Sequence, residues 1–297
     1  MTSNFKSGFA AIIGLPNVGK STLLNTLIGQ KIAIVSDKPQ TTRNKILAIY
    51  NDEGHQIVFV DTPGIHKPHN KLGEFMVKAA EDTINDVDIV IFMTDATEKL
   101  SAAERRIAES INKSGADTIL VINKADAVKK EDLLPKISEY QALADFAAII
   151  PMSAKTGDGA EILLCEMKKL LPEGPKFYDD EDFITDQQEK GIAEEIIREK
   201  LLRFLDKEVP HGVAVQTEKM EELDSITKIY ASIYCEKDSH KGIIIGKNGE
   251  MLKKIGKAAR YDIEKMLDKK VYLELWVRVK NDWRNSDRMI KSLGFEQ

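Results

Sequence analysis

Two short glycine-rich stretches carry residue types and spacings that suit contact with phosphate groups. The first, Gly14–Ser21, reads GLPNVGKS, and the second, Gly246–Gly249, reads GKNG. Glycine permits tight backbone paths and lets amide groups come close to an anion. Both stretches therefore predict phosphate-contacting loops, with a simple turn between two elements as the alternative.

The first loop lies between a strand, FAAIIG, and a helix, GKSTLLNTLIG, as a phosphate loop requires. Its amides and the start of the helix form an anion cradle. Lys20 is expected to neutralise β- and γ-phosphate charge, and Ser21 to offer its hydroxyl to Mg²⁺. From this loop we assign to the nucleotide Gly14, Asn17, Val18, Gly19, Lys20, Ser21 and Thr22.

Three further segments narrow the ligand to a guanine nucleotide. In DTPG (Asp61–Gly64) the carboxylate is placed to hold Mg²⁺ through water, and the Gly64 amide to meet the γ-phosphate. In NKAD (Asn123–Asp126) the last carboxylate accepts two adjacent guanine donors that adenine lacks. SAK (Ser153–Lys155) supplies an amide to the guanine O6. The predicted contacts are Asp61, Asn123, Lys124, Asp126, Ser153, Ala154 and Lys155.

All these segments follow predicted strands, at the edge where open α/β sheets bind ligands. The strands are almost continuously apolar and alternate with amphipathic helices, which predicts a mostly parallel sheet covered by helices on both faces. A stretch with two prolines, a glycine and an acidic cluster then predicts a boundary. We expect a GTPase domain in residues 1–173, a linker in 174–186 and a second domain in 187–297.

The second domain reads as helix, two strands, two helices and a strand, which predicts a smaller α+β fold. GKNG lies between the two helices, so it cannot wrap a triphosphate as the first loop does. A Gly-x-x-Gly loop in this order is typical of type II KH domains, where it clamps the backbone of about four nucleotides. An interhelical turn remains the alternative for the loop taken alone.

Charge supports the nucleic-acid interpretation. Residues 179–236 contain 7 Lys/Arg against 16 Asp/Glu, whereas residues 237–291 contain 15 against 8. A basic segment suits a polyanion, although lysine-rich helices are often only solvated faces. The candidate RNA contacts are Ile243, Ile244, Gly246, Lys247, Asn248, Gly249, Lys253, Lys254 and Lys257, with Arg260 along the same edge. The aromatic residues on predicted strands are expected in the core: Tyr230, Tyr234, Tyr272 and Trp276. Trp283 is left open as an exposed exception.

Composition fits a globular protein of two domains. The chain has 297 residues, of which 42% are hydrophobic and 31% charged, with a net charge of −5. Cys165 and Cys235 have apolar neighbours and are expected to be buried free thiols, which suits a reducing compartment. The sequence shows neither a long apolar run nor a signal-peptide core, so the cytoplasm is the expected location.

The four nucleotide segments together resemble the signature set of translation-factor-related GTPases, and PQTTRN between the first two resembles the Era-like group. The resemblance implies that Thr42 is the switch threonine that contacts Mg²⁺ and the γ-phosphate in the GTP state. It implies catalytic roles for Lys20, Thr42 and Gly64, and a metal site of Ser21, Thr42 and Asp61. Asn17 matches an asparagine that helps hold K⁺ in potassium-stimulated relatives, with a turn residue as the alternative.

One residue departs from the pattern of Ras-like enzymes. Ile65 follows DTPG where those enzymes carry a glutamine that orients the attacking water. We therefore expect slow intrinsic hydrolysis, assisted by K⁺ or by a partner. Arg43 is expected to be structural rather than catalytic.

The layout of one GTPase domain followed by a type II KH domain resembles this family over essentially the full length. It implies a GTP-driven assembly factor of the small ribosomal subunit that binds single-stranded ribosomal RNA near its 3′ end. It also implies a cytoplasmic monomer, with a weak contact at the inner membrane surface left open. The alternatives are a GTP-regulated module acting on a protein or membrane surface, and a metabolic nucleotide hydrolase.

Overall fold

A computed structural model of the chain describes residues 5–36, 38, 41–65, 68, 70–180 and 183–295. The chain forms two compact units, of which the first comprises most of the chain up to Asp186. The second comprises the chain from Gln187 on, together with two short earlier segments that include Ile34 and Leu72. Each unit has a hydrophobic core of its own. In the described ranges, no helix combines the length and the apolar character needed to cross a membrane.

The first unit alternates strands and helices in the predicted order. Its elements are β1 (Lys6–Gly14), α1 (Lys20–Ile28), β2 (Ile46–Asn51), β3 (His55–Asp61), α2 (Lys71–Ile84), β4 (Ile89–Asp95), α3 (Ala102–Ser114), β5 (Asp117–Asn123), α4 (Lys130–Gln141), β6 (Ala148–Pro151) and α5 (Ala160–Leu170). They form one six-stranded sheet in the order β2-β3-β1-β4-β5-β6. Only the β2–β3 pair of this sheet is antiparallel, so the predicted mostly parallel sheet is confirmed.

The apolar strands are buried on both faces of this sheet. In β1, Ala10 and Ile12 belong to one core, whereas Ala11 and Ile13 belong to the core on the opposite face. This explains why the strand reads as a continuous apolar run rather than an alternating one. Since β1, β3, β5 and β6 run parallel, their carboxyl ends bring the four predicted nucleotide segments to one edge of the sheet.

Part of the predicted linker makes ordered contacts with the first unit. The Ser7 hydroxyl donates to the Pro175 carbonyl at 2.6 Å. The amide of Phe177 donates to the side chain of Gln56 at 2.7 Å, and the amide of Ile49 on β2 donates to the Ile184 carbonyl at 2.8 Å. These bonds attach the segment to the sheet of the first unit.

The second unit has the predicted α+β order. Its elements are α6 (Glu189–Phe204), β7 (Ala214–Glu222), β8 (Ile226–Cys235), α7 (Asp238–Ile245), α8 (Glu250–Leu267), β9 (Lys270–Val279) and α9 (Asp287–Ser292). The sheet order is β7-β8-β9, with β7 and β8 antiparallel and β8 and β9 parallel. The helices α6 and α8 contribute to the same core as the inner face of this sheet.

The aromatic and cysteine residues differ in part from the expectation. Tyr272 and Trp276 are 46% and 38% exposed, so the prediction that they lie in the core is wrong. Trp283 is fully buried, and its indole N–H donates to the Gly212 carbonyl at 2.9 Å. Cys235 is a buried free thiol as predicted, but Cys165 is exposed, because it lies on the outer side of its helix.

Candidate nucleotide site and nucleic-acid groove

The first glycine loop has a backbone that other residues cannot easily adopt. Gly14 and Gly19 have φ angles of 153° and 106°. A Cβ at Gly14 would lie 2.3 Å from the Met93 carbonyl oxygen, and one at Gly19 would lie 2.3 Å from the Asn123 side-chain nitrogen. Both glycines are therefore required by close approach as well as by conformation.

Lys20 is buried at the start of α1. Its ammonium donates to the carbonyls of Gly14 and Leu15 at 3.3 and 3.0 Å. Burial lowers the pKa of Lys20 to about 8, and the charge of Asp61 opposes that shift. A desolvated ammonium held inside the loop is electrostatically suited to an incoming phosphate.

Three oxygen-bearing side chains converge beside this lysine. The hydroxyls of Ser21 and Thr42 lie 2.8 Å apart, and they donate to Asp61 Oδ2 at 2.9 and 3.3 Å. Asp61 Oδ1 is buried, and no residue in the described part of the chain donates to it. Burial raises the pKa of Asp61 to about 6, against the charge of Lys20 and the two hydroxyl donors. Hard oxygen ligands around a partnerless buried carboxylate oxygen fit Mg²⁺.

The DTPG segment packs closely on the glycine loop. A Cβ on Gly64 would lie 2.8 Å from the Pro16 backbone nitrogen, so a side chain there would displace the loop. The next amide, of Ile65, donates to the Gly14 carbonyl at 3.1 Å. The Ile65 side chain packs against the core that contains Ile13, and it offers no group that orients water.

Asn123 links two of the predicted nucleotide segments. Its side-chain nitrogen donates to the Val18 carbonyl at 2.7 Å, and its side-chain oxygen accepts from the Ala154 amide at 2.8 Å. Its amide thus connects the glycine loop to SAK, and its predicted contact with the nucleotide stays a prediction. Asp126 lies exposed in the short helical turn that follows, where a base can reach its carboxylate.

The SAK segment is fixed by its own hydrogen bonds. The Ser153 amide donates to the Asp158 carbonyl at 2.9 Å, and the Ser153 hydroxyl accepts from the Thr156 amide at 3.3 Å. Ser153 and Ala154 are buried, whereas Lys155 is exposed. The turn is thus ordered next to Asn123, as a site for the base requires.

Asp95 and Lys136, which belong to no nucleotide motif, help to position Lys124: Asp95 by an ion pair, and Lys136 by bonding to the Asp95 backbone. The Lys124 ammonium lies 2.5 Å from Asp95 Oδ2, and the other Asp95 oxygen accepts from the amide and hydroxyl of Thr97. Burial raises the pKa of Asp95, but these hydrogen bonds outweigh it and keep the pKa below its usual value. Lys136 on α4 donates to the Asp95 and Ala96 carbonyls at 2.8 Å each. In the sequence, the one feature that could have identified Asp95 as a site residue is its position at the carboxyl end of β4.

The second glycine loop separates α7 from α8. Gly246 and Gly249 have φ angles of 74° and 79°, and Asn248 between them has 53°. A Cβ on Gly246 would lie 2.7 Å from the Met251 Cβ. Lys247 and Asn248 are exposed at the tip, so the loop presents backbone and polar side chains to solvent.

A cleft of about 470 Å³ begins at this loop and runs between α8 and β9. Lys253, Lys257 and Arg260 line it on the helix side, with Gly256 between them. Leu273, Glu274 and Leu275 line it on the strand side. The basic side chains of the helix wall suit phosphates, and the two leucines of the strand wall suit bases.

Two of the predicted RNA contacts lie elsewhere. Ile244 is fully buried in the core, so its side chain does not reach the groove, whereas Ile243 is 50% exposed. The Lys254 ammonium lies 4.5 Å from the centroid of the Phe204 ring on α6 and does not line the cleft. Successive helical residues differ by about 100° in direction, which separates Lys254 from Lys253.

Two parts of the chain match described families. Residues 9–124 match the family described as 50S ribosome-binding GTPase, and residues 208–284 match the KH domain. The chain is 54% identical over 294 residues to GTPase Era of Ruminiclostridium cellulolyticum, which covers 99% of this chain and 98% of that protein. It is 51% identical over 294 residues to GTPase Era of Clostridioides difficile, and the match covers 98% of this chain and 99% of that protein.

Two solved structures superpose on nearly the whole chain. One is Era in complex with MgGDPNP and nucleotides 1506–1542 of 16S ribosomal RNA, with a TM-score of 0.95, 39% identity and coverage of 99% of this chain and 100% of that one. A single-residue variant of Aquifex aeolicus Era bound to GDP.AlF4- gives the same values. Fold and site together define a P-loop GTPase with a C-terminal KH domain. The chain belongs to the Era family of GTPases.

Proposed function

We propose that the protein is a GTP-hydrolysing switch that binds single-stranded small-subunit ribosomal RNA near its 3′ end and assists assembly of that subunit. One observation carries the nucleotide half: the Ser21 and Thr42 hydroxyls donate to one oxygen of Asp61, and its other oxygen is buried with no donor among the described residues. The relative crystallised with MgGDPNP and a 16S ribosomal RNA fragment supports both halves.

The proposed nucleotide contacts follow from the geometry of the first unit. The loop amides and Lys20 bind the phosphates, Asp126 accepts the guanine donors, and the SAK amides meet O6. Ser21 and Thr42, with Asp61 through water, would hold Mg²⁺, which when bound neutralises phosphate charge. The complete proposed set is Gly14, Asn17, Val18, Gly19, Lys20, Ser21, Thr22, Asp61, Asn123, Lys124, Asp126, Ser153, Ala154 and Lys155.

For hydrolysis, we propose that Lys20, Thr42 and the Gly64 amide stabilise the charge that develops on the phosphoryl group. Ile65 cannot orient water, so the intrinsic rate is slow. We assign to Asn17 a share in holding K⁺ near the phosphates. This predicts that hydrolysis in K⁺ exceeds that in Na⁺ by about tenfold or more, equivalent to about 1.4 kcal/mol of barrier. Equal rates in the two salts would remove the cation from the mechanism.

On the second unit, we propose that the Gly246–Gly249 loop grips the RNA backbone. Lys253 and Lys257 meet phosphates along the cleft, and Ile243 contributes apolar surface to the bases. Lys254 is left out of this role because it packs on Phe204. The RNA is a ligand here and undergoes no chemistry.

The RNA half is tested with a short single-stranded oligonucleotide and the double variant Lys247→Asp/Asn248→Asp. Two new carboxylates at the loop tip repel the RNA backbone, and we expect affinity to fall by more than about tenfold. Lys270→Asp, at an exposed lysine on β9 outside the cleft, is the matched control. Unchanged RNA affinity of the double variant would overturn the KH assignment.

We further propose the domain boundaries at 1–173 for the GTPase domain, 174–186 for the linker and 187–297 for the KH domain with its C-terminal helix. The protein acts in this proposal as a cytoplasmic monomer. A weak contact with the inner membrane surface stays a prediction, which vesicle sedimentation with and without anionic lipid would test.

A further inference from the structure

The outer face of the second unit's sheet carries three aromatic rings around one carboxylate. On β9, Tyr272 and Trp276 lie two residues on either side of Glu274. On β8, Tyr230 pairs directly with Glu274 in the parallel register. Side chains alternate along a strand and directly paired residues share a face, so all four lie together. We call these four residues the aromatic–carboxylate patch.

The rings of the patch are accessible and arranged side by side. Tyr272 and Trp276 are 46% and 38% exposed, and Tyr230 is half-buried between them. The centroid of the Tyr230 ring lies 6.1 Å from each of the other two. Its plane is within 14° of the Trp276 plane and at 60° to the Tyr272 plane. The patch therefore offers ring faces on which a flat group can stack.

Two basic neighbours of the patch are already paired with carboxylates of β7. Arg278 lies 3.0 Å from Glu218, and Lys219 lies 2.6 Å from Glu221. The hydrogen bond from Lys219 lowers the pKa of Glu221, and the charge of nearby Lys228 adds to this effect. Lys219 and Arg278 are thus held at carboxylates of β7, whereas Lys228 lies directly opposite Tyr272 in the strand register.

Glu274 differs from those carboxylates. It accepts a hydrogen bond from the Tyr272 hydroxyl at 3.0 Å. It forms no ion pair with any residue in the described ranges of the chain. A carboxylate without a cation, ringed by aromatic faces, is complementary to a positively charged planar group.

We propose that the aromatic–carboxylate patch docks an arginine side chain of a basic protein partner. A guanidinium stacks on aromatic rings and donates in parallel to a carboxylate, which a lysine ammonium does less well. A nucleobase also stacks on such rings, but the phosphates that accompany it would be repelled by the Glu274 carboxylate. The charge of the patch therefore selects the protein partner over RNA.

Tryptophan fluorescence reports directly on the patch. The chain has two tryptophans, of which Trp283 is fully buried and Trp276 lies in the patch. The probe is the peptide acetyl-Gly-Arg-Gly-Arg-Gly-amide, and its matched control carries citrulline, which has the same shape without charge. Each contact at an exposed site is weak, so we expect a saturable change with a Kd of about 1 mM for the arginine peptide. The citrulline peptide should cause none, and Trp276→Phe should remove the change.

Two variants test which groups bind. Glu274→Gln and Tyr272→Leu should each raise the Kd about threefold or more, because they remove the carboxylate or a ring. Glu221→Gln, an exposed carboxylate on the same sheet that pairs with Lys219, should leave the Kd within about twofold. Circular dichroism checks that each variant is folded. Equal binding by Glu274→Gln, or binding of the citrulline peptide, would overturn the proposal.

A further experiment decides whether RNA or a protein binds the aromatic–carboxylate patch. Oligouridylate is added to Lys247→Asp/Asn248→Asp, in which the groove site is disabled by two added charges. No change in Trp276 fluorescence agrees with a protein partner. A saturable change would assign the patch to RNA and contradict the proposal.

Discussion

At the scale of single residues, Asp95 connects guanine recognition to a part of the chain with no nucleotide motif. Its carboxylate holds the Lys124 ammonium at 2.5 Å, and its carbonyl is held by Lys136 on α4. Lys124 itself has φ of 61°, which directs the chain sharply out of β5. The position of a proposed base-contacting lysine is thus set from outside the NKAD segment.

Asp95→Asn is expected to speed release of fluorescent GDP about fivefold, because a neutral amide holds the Lys124 ammonium less firmly, by about 1 kcal/mol. The measurement is stopped-flow dissociation. Asp117→Asn, at an exposed carboxylate on the first residue of β5, serves as the control. In a Lys124→Ala background Asp95→Asn should add nothing. A full additional effect there would show that Asp95 acts through another group.

Asp126→Asn is expected to weaken GTP binding about 100-fold, since two hydrogen bonds to a charged acceptor are lost. Xanthosine triphosphate, which offers an acceptor where guanine has its amino group, should bind the variant better than GTP does. Competition against fluorescent GDP measures both affinities. Retained tight GTP binding by the variant would contradict the guanine assignment.

At the scale of elements, the sequence was most informative where one physical rule dominates. The apolar runs predicted strands buried on both faces, and the strand ends then predicted one edge for four segments. The exposure of Tyr272 and Trp276 was not predictable in this way, because an alternating strand does not reveal which of its faces a helix covers. The same is true of the Asp95–Lys136 contact, which joins elements far apart in sequence.

The helix α8 shows why a run of lysines is not one site. Lys253 and Lys257 face the cleft, whereas Lys254 packs on Phe204. Lys257→Ala should reduce the slope of log affinity against log salt by about 0.7, the value for one phosphate contact on a single strand. Lys254→Ala should change that slope much less. Fluorescence anisotropy over a salt series distinguishes them, and equal slopes for the two variants would place the RNA elsewhere.

At the scale of the whole molecule, each unit has its own core and its own proposed ligand. Since a ligand stabilises only the structure that binds it, Mg²⁺ and GDP at about 100 times Kd should stabilise the first unit by about 2.7 kcal/mol. We expect calorimetry to show two transitions, of which one rises with GDP. A matching rise of both transitions would show that the units unfold together.

The GTPase unit and the RNA-binding unit are proposed to act together on small-subunit ribosomal RNA. Crosslinking in cells, followed by identification of the bound RNA, measures whether they do. We expect enrichment of sequences at the 3′ end of the small-subunit ribosomal RNA, and loss of that enrichment in Lys247→Asp/Asn248→Asp. Enrichment of another RNA class, or the same enrichment with the double variant, would contradict it.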